Sequence, residues 1–278
     1  MMRRISGLRE IARDFDAMLI DQFGVIHDGQ KLYPGAAEVL AELHGLGMPV
    51  IVMTNSGKRA APNIARVVEM GIAREHFLDC VSSGEVAFQT MPAKKAYLIG
   101  KDGVDYAFDP VEFVRTPDEA EVMLILGSNT PKTSLDDYRR LFTGLTLPAV
   151  CCNPDKLMIT RFGLQPAPGA IADVYEKMGG KVTWIGKPYA AIYEHALQLL
   201  SLSFRRKPES GGHAKKDSGL RRNDGLRVLC IGDSAEHDVA GGRGAGLSTL
   251  LVQQGVSAGI AEAELHPQPD FLSERFEW

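Results

Sequence analysis

The chain has 278 residues, 45% of them hydrophobic and 24% charged, with a formal net charge of −4. That length is generous for one core and comfortable for two domains, and the mildly acidic balance argues against a nucleic-acid binder, which presents a basic face. No apolar run approaches the ~18 residues that span a bilayer, and charges interrupt the N-terminal MMRRISGLREIARDFD where a signal peptide needs an apolar stretch of roughly 7–15 residues. The four cysteines, Cys80, Cys151, Cys152 and Cys230, form no CxxC or other metal spacing. They read as reduced, buried thiols of a cytoplasmic protein.

In chain order, 17–21 (AMLID) is the first strand, running into Asp21 and a turn through Gly24. The segment 35–47 (GAAEVLAELHGLG) reads as a helix, with Val39, Leu40, Leu43 and Leu46 on one face and Gly47 as its stop. Strands follow at 49–54 (PVIVMT) and 78–82, with a helix in 63–71 between them. A second series holds strands at 95–100, 121–128 and 148–152 and helices near 134–144 and 170–178. The first pattern then resumes: strand 181–186, helix 189–200, strands 226–232 and 248–253. Alternation of this kind predicts an α/β fold with a Rossmann-like, doubly wound parallel sheet. The expected division is a discontinuous core of 1–91 plus 181–278 and an α/β domain inserted at 92–180.

The segment 203–225 (SFRRKPESGGHAKKDSGLRRNDG) does not fit this pattern. It carries seven Lys/Arg against three acids, has no apolar periodicity, and exceeds the ~12–15 residues usual for a loop in a compact domain. A basic docking site is one reading. A solvated, disordered insertion within the core, similar to translated interspersed repeats, is the preferred one.

Four stretches end or follow the core strands: Asp21 with DQFGV, MTNSG (53–57), IGKP (185–188) and IGDSAEHD (231–238). Singly, each is ordinary: a turn or cap Asp, a polar turn, a loop, a helix start. Together they are specific, because open parallel sheets bind ligands beyond the carboxyl ends of their strands. A carboxylate at a strand tip can attack phosphorus and form a mixed anhydride. Bringing it against an anionic phosphate needs a hard dication, and Mg²⁺ suits carboxylates and carbonyls. Asp21 and Asp233 supply the carboxylates, Asp238 ligates through water or braces the site, and Phe23 offers its backbone carbonyl. Thr54 and Ser56, with backbone N–H groups around Asn55–Gly57 opening a helix, suit the phosphoryl oxygens. Lys187 adds a positive charge where negative charge builds.

This order of motifs resembles the haloacid dehalogenase superfamily, most of whose members are Mg²⁺-dependent phosphatases. YPGAAEVLAELHGLGMPVIVMTNSGK (33–58), CCNPDK (151–156), PAPGAIADVYEKMGGKVTWIGKPYAAIYEHAL (166–197) and HDVAGGRGAGLSTLLVQQGV (237–256) are similar to its class IIA, the NagD-like sugar and nitrophenyl phosphatases. The resemblance implies that 92–180 is a C2-type cap, that Asn153 and Asp155 face the active site and select substrates, and that the substrate is a small phosphorylated metabolite. Caps of that class often mediate dimers, so a homodimer through the cap is an open expectation.

Phe23 departs from the family pattern. The phosphatases carry there an Asp that protonates the leaving oxygen and then activates water, and Phe can do neither. General acid–base catalysis is worth about 10²–10⁴-fold, roughly 3–5 kcal/mol of barrier. Its loss weighs most on poor leaving groups such as sugar alkoxides, and aryl or acyl phosphates need it least. His27 and Asp28 could substitute, or are simply polar loop residues. Three readings stand in order: an EC 3.1.3-type phosphatase with Asp21 as nucleophile, a phosphometabolite-binding protein with little turnover, and a dehalogenase-like carbon–halogen hydrolase suggested only by the aromatic at 23.

Overall fold

The structure, a computed structural model, describes residues 2–160, 162–206 and 225–278. The chain divides into two compact units, one of Met1–Met53, Met70–Asp79 and Tyr193–Trp278, the other of Thr54–Glu69 and Cys80–Ile192.

A seven-stranded sheet is built from both ends of the chain. Its strands are β1 (Arg3–Arg4), β2 (Ala17–Asp21), β3 (Val50–Thr54), β4 (Asp79–Ser82), β12 (Val228–Gly232), β13 (Ser248–Val252) and β14 (Phe271–Ser273), in the order β1-β14-β13-β12-β2-β3-β4. The pairings from β1 across to β3 are parallel. Every residue of β2, β3 and β12 is buried. Central strands of a parallel sheet are covered on both faces, which is why they read as unbroken apolar runs. The order runs outward in opposite directions from the β2/β12 pair, so the switch point where such sheets bind ligands lies beyond Asp21 and Gly232.

A five-stranded sheet has the order β11-β8-β7-β5-β6, from β5 (Lys95–Ile99), β6 (Glu112–Val114), β7 (Val122–Ile125), β8 (Ala149–Cys151) and β11 (Val182–Trp184), all parallel. Ile99, Met123, Ile125 and Cys151 of this sheet form one core with Tyr138 and Phe142 of α4 (Leu135–Phe142) and Ile171 and Tyr175 of α5 (Pro168–Lys177). The sequence had placed strand 181–186 with the resumed first pattern. It lies instead on the edge of this sheet, paired to β8. Strands β9 (Leu157–Thr160) and β10 (Gly163–Pro166) make a separate antiparallel hairpin.

Helix α1 (Ala36–Gly45) buries Ala36, Val39, Leu40 and Leu43. It stops two residues earlier than its pattern suggested, leaving Leu46 exposed, because Gly47 turns to φ +69° and donates to the His44 carbonyl. Helices α2 (Ala60–Glu69) and α3 (Ser83–Thr90) follow β3 and β4, and α7 is a short turn at Ala240–Gly244. Helix α6 (Ala190–Arg206) runs past the expected 200 and takes in the first residues of the basic segment. The remainder of that segment, 207–224, lies outside the described residues. Among the described residues no helix is long and apolar enough to cross a membrane.

Candidate active site

The first unit brings Asp21, Asp233 and Asp238 together: one carboxylate oxygen of each lies within 4.8 Å of the others, and all three residues are buried. Asp21 closes β2, and Asp233 is the first residue beyond β12. Asp238 reaches back from a single π-helical turn, Ala235–Val239, a local over-winding common at functional sites. Three acids this close repel one another in a medium of low polarizability. Oxygen-only donors in such a set fit a hard divalent cation, and Asp21, Asp233 and Asp238 are the residues that would hold it.

The surroundings fix each carboxylate. The Val256 N–H donates to Asp233 Oδ2 at 2.7 Å, and the Ser257 hydroxyl donates to the Asp233 carbonyl. The Ser234 N–H donates to Asp238 Oδ2 at 3.1 Å. A Cβ on Gly24, which has φ +92°, would come within 2.1 Å of Asp233 Oδ2, one on Gly255 within 1.9 Å of it, and one on Gly232 within 1.9 Å of Asp238 Cγ. Only glycine lets the chain pass so close to the acids. Gln254 clamps the loop after β2, its Nε2 donating to the Gly24 and Val25 carbonyls at 3.1 and 3.0 Å. Beneath the cluster, the buried Tyr193 hydroxyl donates to the His237 carbonyl at 3.2 Å. Burial, and then the neighbouring Cys230, Asp238 and Asp21, push its pKa well up, so it stays protonated and keeps donating.

Phe23 stands out from this set. It is 46% exposed, and its ring meets the His27 ring edge-on at 5.9 Å. The buried His27 accepts the Gly29 N–H on Nδ1 at 2.9 Å. Asp28 uses Oδ1 to accept the Gln30 and Lys31 N–H groups, which hold its pKa down, and so serves the loop as an Asx turn.

The second unit brings together Thr54, Asn55, Ser56, Asp155 and Lys187, of which Thr54, Asn55 and Lys187 are buried. The Ser56 N–H turns onto Thr54 Oγ1 at 3.3 Å, and the Lys58 N–H onto Ser56 Oγ at 3.3 Å. The Asn55 amide bonds both backbone groups of Lys187 and also Asp155 Oδ1. Asn153 accepts the Asp155 N–H on Oδ1 at 3.0 Å, making a tight turn. One expectation is corrected here. The loop at 55–57 does not open a helix, because α2 begins only at Ala60. The anion at that helix start is the protein's own Glu85, which accepts the Ala60 N–H at 3.0 Å and the Nε and Nη2 hydrogens of Arg59.

Sequence reasoning missed Glu85, although Ser82 three residues earlier is the N-cap of α3 and accepts the Glu85 N–H. That Ser-x-x-Glu spacing is a readable signal. It also missed Gln254 as the clamp on the loop after β2, and Gly255 and Val256 as the close neighbours of Asp233, and nothing local marks them. Cys151 and Cys152 are buried, and burial pushes the Cys151 thiol up to about 12 and the Cys152 thiol well above its ordinary value, so neither is a nucleophile.

Comparison with known proteins matches residues 18–114 to the family model described as haloacid dehalogenase-like hydrolase, and residues 184–277 to the one described as HAD-hydrolase-like. An acid sugar phosphatase of Staphylococcus saprophyticus is 26% identical over 255 residues, 88% of this chain and 89% of the relative. A haloacid dehalogenase-like hydrolase from Brucella suis superposes with a TM-score of 0.81 at 25% identity, covering 98% of this chain and 99% of the other. A p-nitrophenyl phosphatase from Archaeoglobus fulgidus shares the fold, with a TM-score of 0.70 at 22% identity and 94% and 96% coverage.

Proposed function

Because the chain belongs to the haloacid dehalogenase-like hydrolases, we propose that it is a Mg²⁺-dependent phosphatase of small phosphorylated metabolites that uses Asp21 as nucleophile. The observation that carries this reading is the buried Asp21–Asp233–Asp238 cluster at the switch point of the seven-stranded sheet. The name of the staphylococcal relative, acid sugar phosphatase, supports the reaction class.

In this reading an Asp21 carboxylate oxygen attacks phosphorus, the ester P–O bond breaks, and the leaving oxygen takes the electron pair. Water then attacks the aspartyl-phosphate, releasing phosphate and restoring Asp21. When bound, Mg²⁺ supplies charge neutralisation between the anionic nucleophile and the phosphate. Asp21, Asp233 and Asp238, with the Phe23 carbonyl, would hold it. Thr54 follows Met53, which pairs with Asp21 across β2 and β3. The reading assigns the Thr54 hydroxyl, the backbone and side chain of Ser56, the Asn55 N–H and the Lys187 ammonium to the phosphoryl oxygens. Phe23 has no proton to give, so leaving groups that depart as stable anions, aryloxides and carboxylates, are favoured over alkoxides.

The test is phosphate release from p-nitrophenyl phosphate, acetyl phosphate and a hexose phosphate, with Mg²⁺ or with EDTA, and Asp21→Asn as blank. The expected result is metal-dependent turnover of the first two that vanishes in Asp21→Asn. Phe23→Asp should raise hexose phosphate hydrolysis by about 10²–10⁴-fold. Silence of the wild type beside an active Phe23→Asp would favour the second reading, a phosphometabolite-binding protein, which the exposed Phe23 also suits. Halide release from a small haloacid that survives complete metal removal would point to carbon–halogen chemistry instead.

A further inference from the structure

An asparagine side chain offers one carbonyl oxygen and two amide hydrogens, and those of Asn55 are all engaged. Oδ1 accepts the Lys187 N–H at 2.7 Å, with the Ser83 hydroxyl at 3.4 Å. Nδ2 gives one hydrogen to the Lys187 carbonyl at 3.2 Å and the other to Asp155 Oδ1 at 2.9 Å. The amide therefore grips both backbone polar groups of Lys187, as a paired strand would, and is tied at its far end to a carboxylate 100 residues away in sequence. Gly186, at φ +122°, makes the grip feasible: a Cβ there would lie 2.4 Å from Ser83 Oγ and 2.7 Å from Asn55 Oδ1.

The tie reinforces the way the amide faces, which the Lys187 N–H and carbonyl also require. Asparagine oxygen and nitrogen are nearly alike in shape, and a flip would set a donor against the Lys187 N–H. An acceptor-only carboxylate beyond Nδ2 permits one orientation alone. Asp155 is itself pinned, its N–H to Asn153 and its carbonyl accepting the Gly169 N–H at 3.0 Å. A Cβ on Gly169 would stand 2.1 Å from the Pro154 carbonyl oxygen, so the turn sits directly on the first residues of α5.

We propose that Asp155 is a positioning residue that acts through the Asn55 amide on Lys187, and that it works as a hydrogen-bond acceptor rather than as a charge presented to the substrate. The consequence for turnover rests on the phosphatase reading, in which Lys187 faces phosphoryl oxygens. The link from Asp155 to Lys187 does not, and the test separates the two.

Asp155→Asn keeps an oxygen able to accept from Asn55, Asp155→Ala removes it, and Asn55→Ala cuts the same link from the other side. In each full-length variant, the rate at which acetic anhydride acylates the Lys187 side-chain amine in its deprotonated form, releasing acetate, is followed by peptide mass spectrometry, alongside steady-state hydrolysis of p-nitrophenyl phosphate and acetyl phosphate. Lys187 is 3% exposed, so its wild-type acylation is slow. The proposal expects faster acylation in Asp155→Ala and Asn55→Ala, and rescue of the slow rate in Asp155→Asn. Turnover should fall by roughly 10²-fold in the two alanine variants through misplacement of the ammonium, in equal proportion for both substrates, and recover in Asp155→Asn. Equal damage from Asn and Ala at 155 would show that the charge matters and overturn the proposal. So would Lys187 acylation unmoved in Asp155→Ala, or a change in the ratio of the two substrates' kcat/KM. If the wild type turns over neither substrate, the phosphatase reading fails, while the acylation rates still decide the link.

Discussion

The carboxylate cluster of the first unit and the Asn55 amide of the second are both buried and both built from loops at strand ends, yet opposite electrostatics govern them. At the cluster, three like charges converge within 4.8 Å, an arrangement that works against folding in the absence of a cation. At the amide, each donor meets an acceptor and every hydrogen is used, which stabilises the fold. The difference separates a place kept for chemistry from a place kept for geometry. It also predicts that neutralising or truncating a residue has opposite signs in the two regions.

The largest expected effect tests that sign directly. Asp233→Asn should weaken Mg²⁺ binding by roughly 100-fold or more, read by titration calorimetry. The metal-free variant should melt higher than metal-free wild type, since one of three repelling charges is gone, by about 2–4 °C for each kcal/mol relieved in a chain of this size. Asn55→Ala should do the reverse. It leaves the Lys187 N–H and carbonyl buried without their partner, at about 1–3 kcal/mol for each orphaned group, and should lower the melting temperature with Mg²⁺ affinity unchanged. Melting shifts of the same sign in both variants would erase the distinction.

The two regions also differ in how far the sequence disclosed them. Asp21 and Asp233 were legible because one ends and the other directly follows a strand whose residues are apolar almost without a break, and a strand tip fixes its next side chain locally. The Asn55 amide was not, because Asn55 meets partners 100 and 132 residues away and nothing in TNSG says which way the amide is used. The same limit applies to β11: VTW carries no mark of which sheet it joins, and only its pairing with Ala149–Cys151 reveals it. The hairpin of β9 and β10 escaped notice for a different reason. Leu157, Phe162 and Leu164 there remain exposed, so it lacks the alternation of a half-buried strand.

A smaller effect sharpens the steric side of the cluster. Gly24 and Gly246 both hold left-handed backbone, at φ +92° and +74°, but a Cβ on Gly24 would collide with Asp233 while one on Gly246 meets nothing within 4 Å. Gly246→Ala therefore isolates the backbone cost, about 1–2 kcal/mol. Gly24→Ala adds displacement of Asp233 and should destabilise by about 2–4 kcal/mol in urea unfolding, with weakened Mg²⁺ binding that Gly246→Ala does not share. Equal losses in the two variants would mean that the close approach of Gly24 to the carboxylate plays no part.

The smallest effect belongs to a third arrangement, in which opposite charges are paired. Glu85 is desolvated, which by itself raises its pKa, but hydrogen bonds from Arg59, the Ala60 N–H and Gln89 outweigh that and bring it down from 4.5 to about 2. A carboxyl that is more acidic folded than unfolded contributes its full stability above the unfolded value. That contribution is lost as pH falls from about 4.5 towards 2, where the proton binds the unfolded chain first. The shift corresponds to about 1–2 kcal/mol once solvent screening is allowed for. Glu85→Gln keeps the shape, forfeits the charge-assisted bonds to Arg59, and should lower stability at pH 7 by that amount while flattening the decline between pH 4.5 and 2. Urea midpoints of wild type and variant should therefore converge at the acid end. Parallel curves would assign the acid sensitivity of this region to another carboxylate and leave the Glu85–Arg59 pair as packing around the ring of Phe88, over which the guanidinium lies at 3.5 Å.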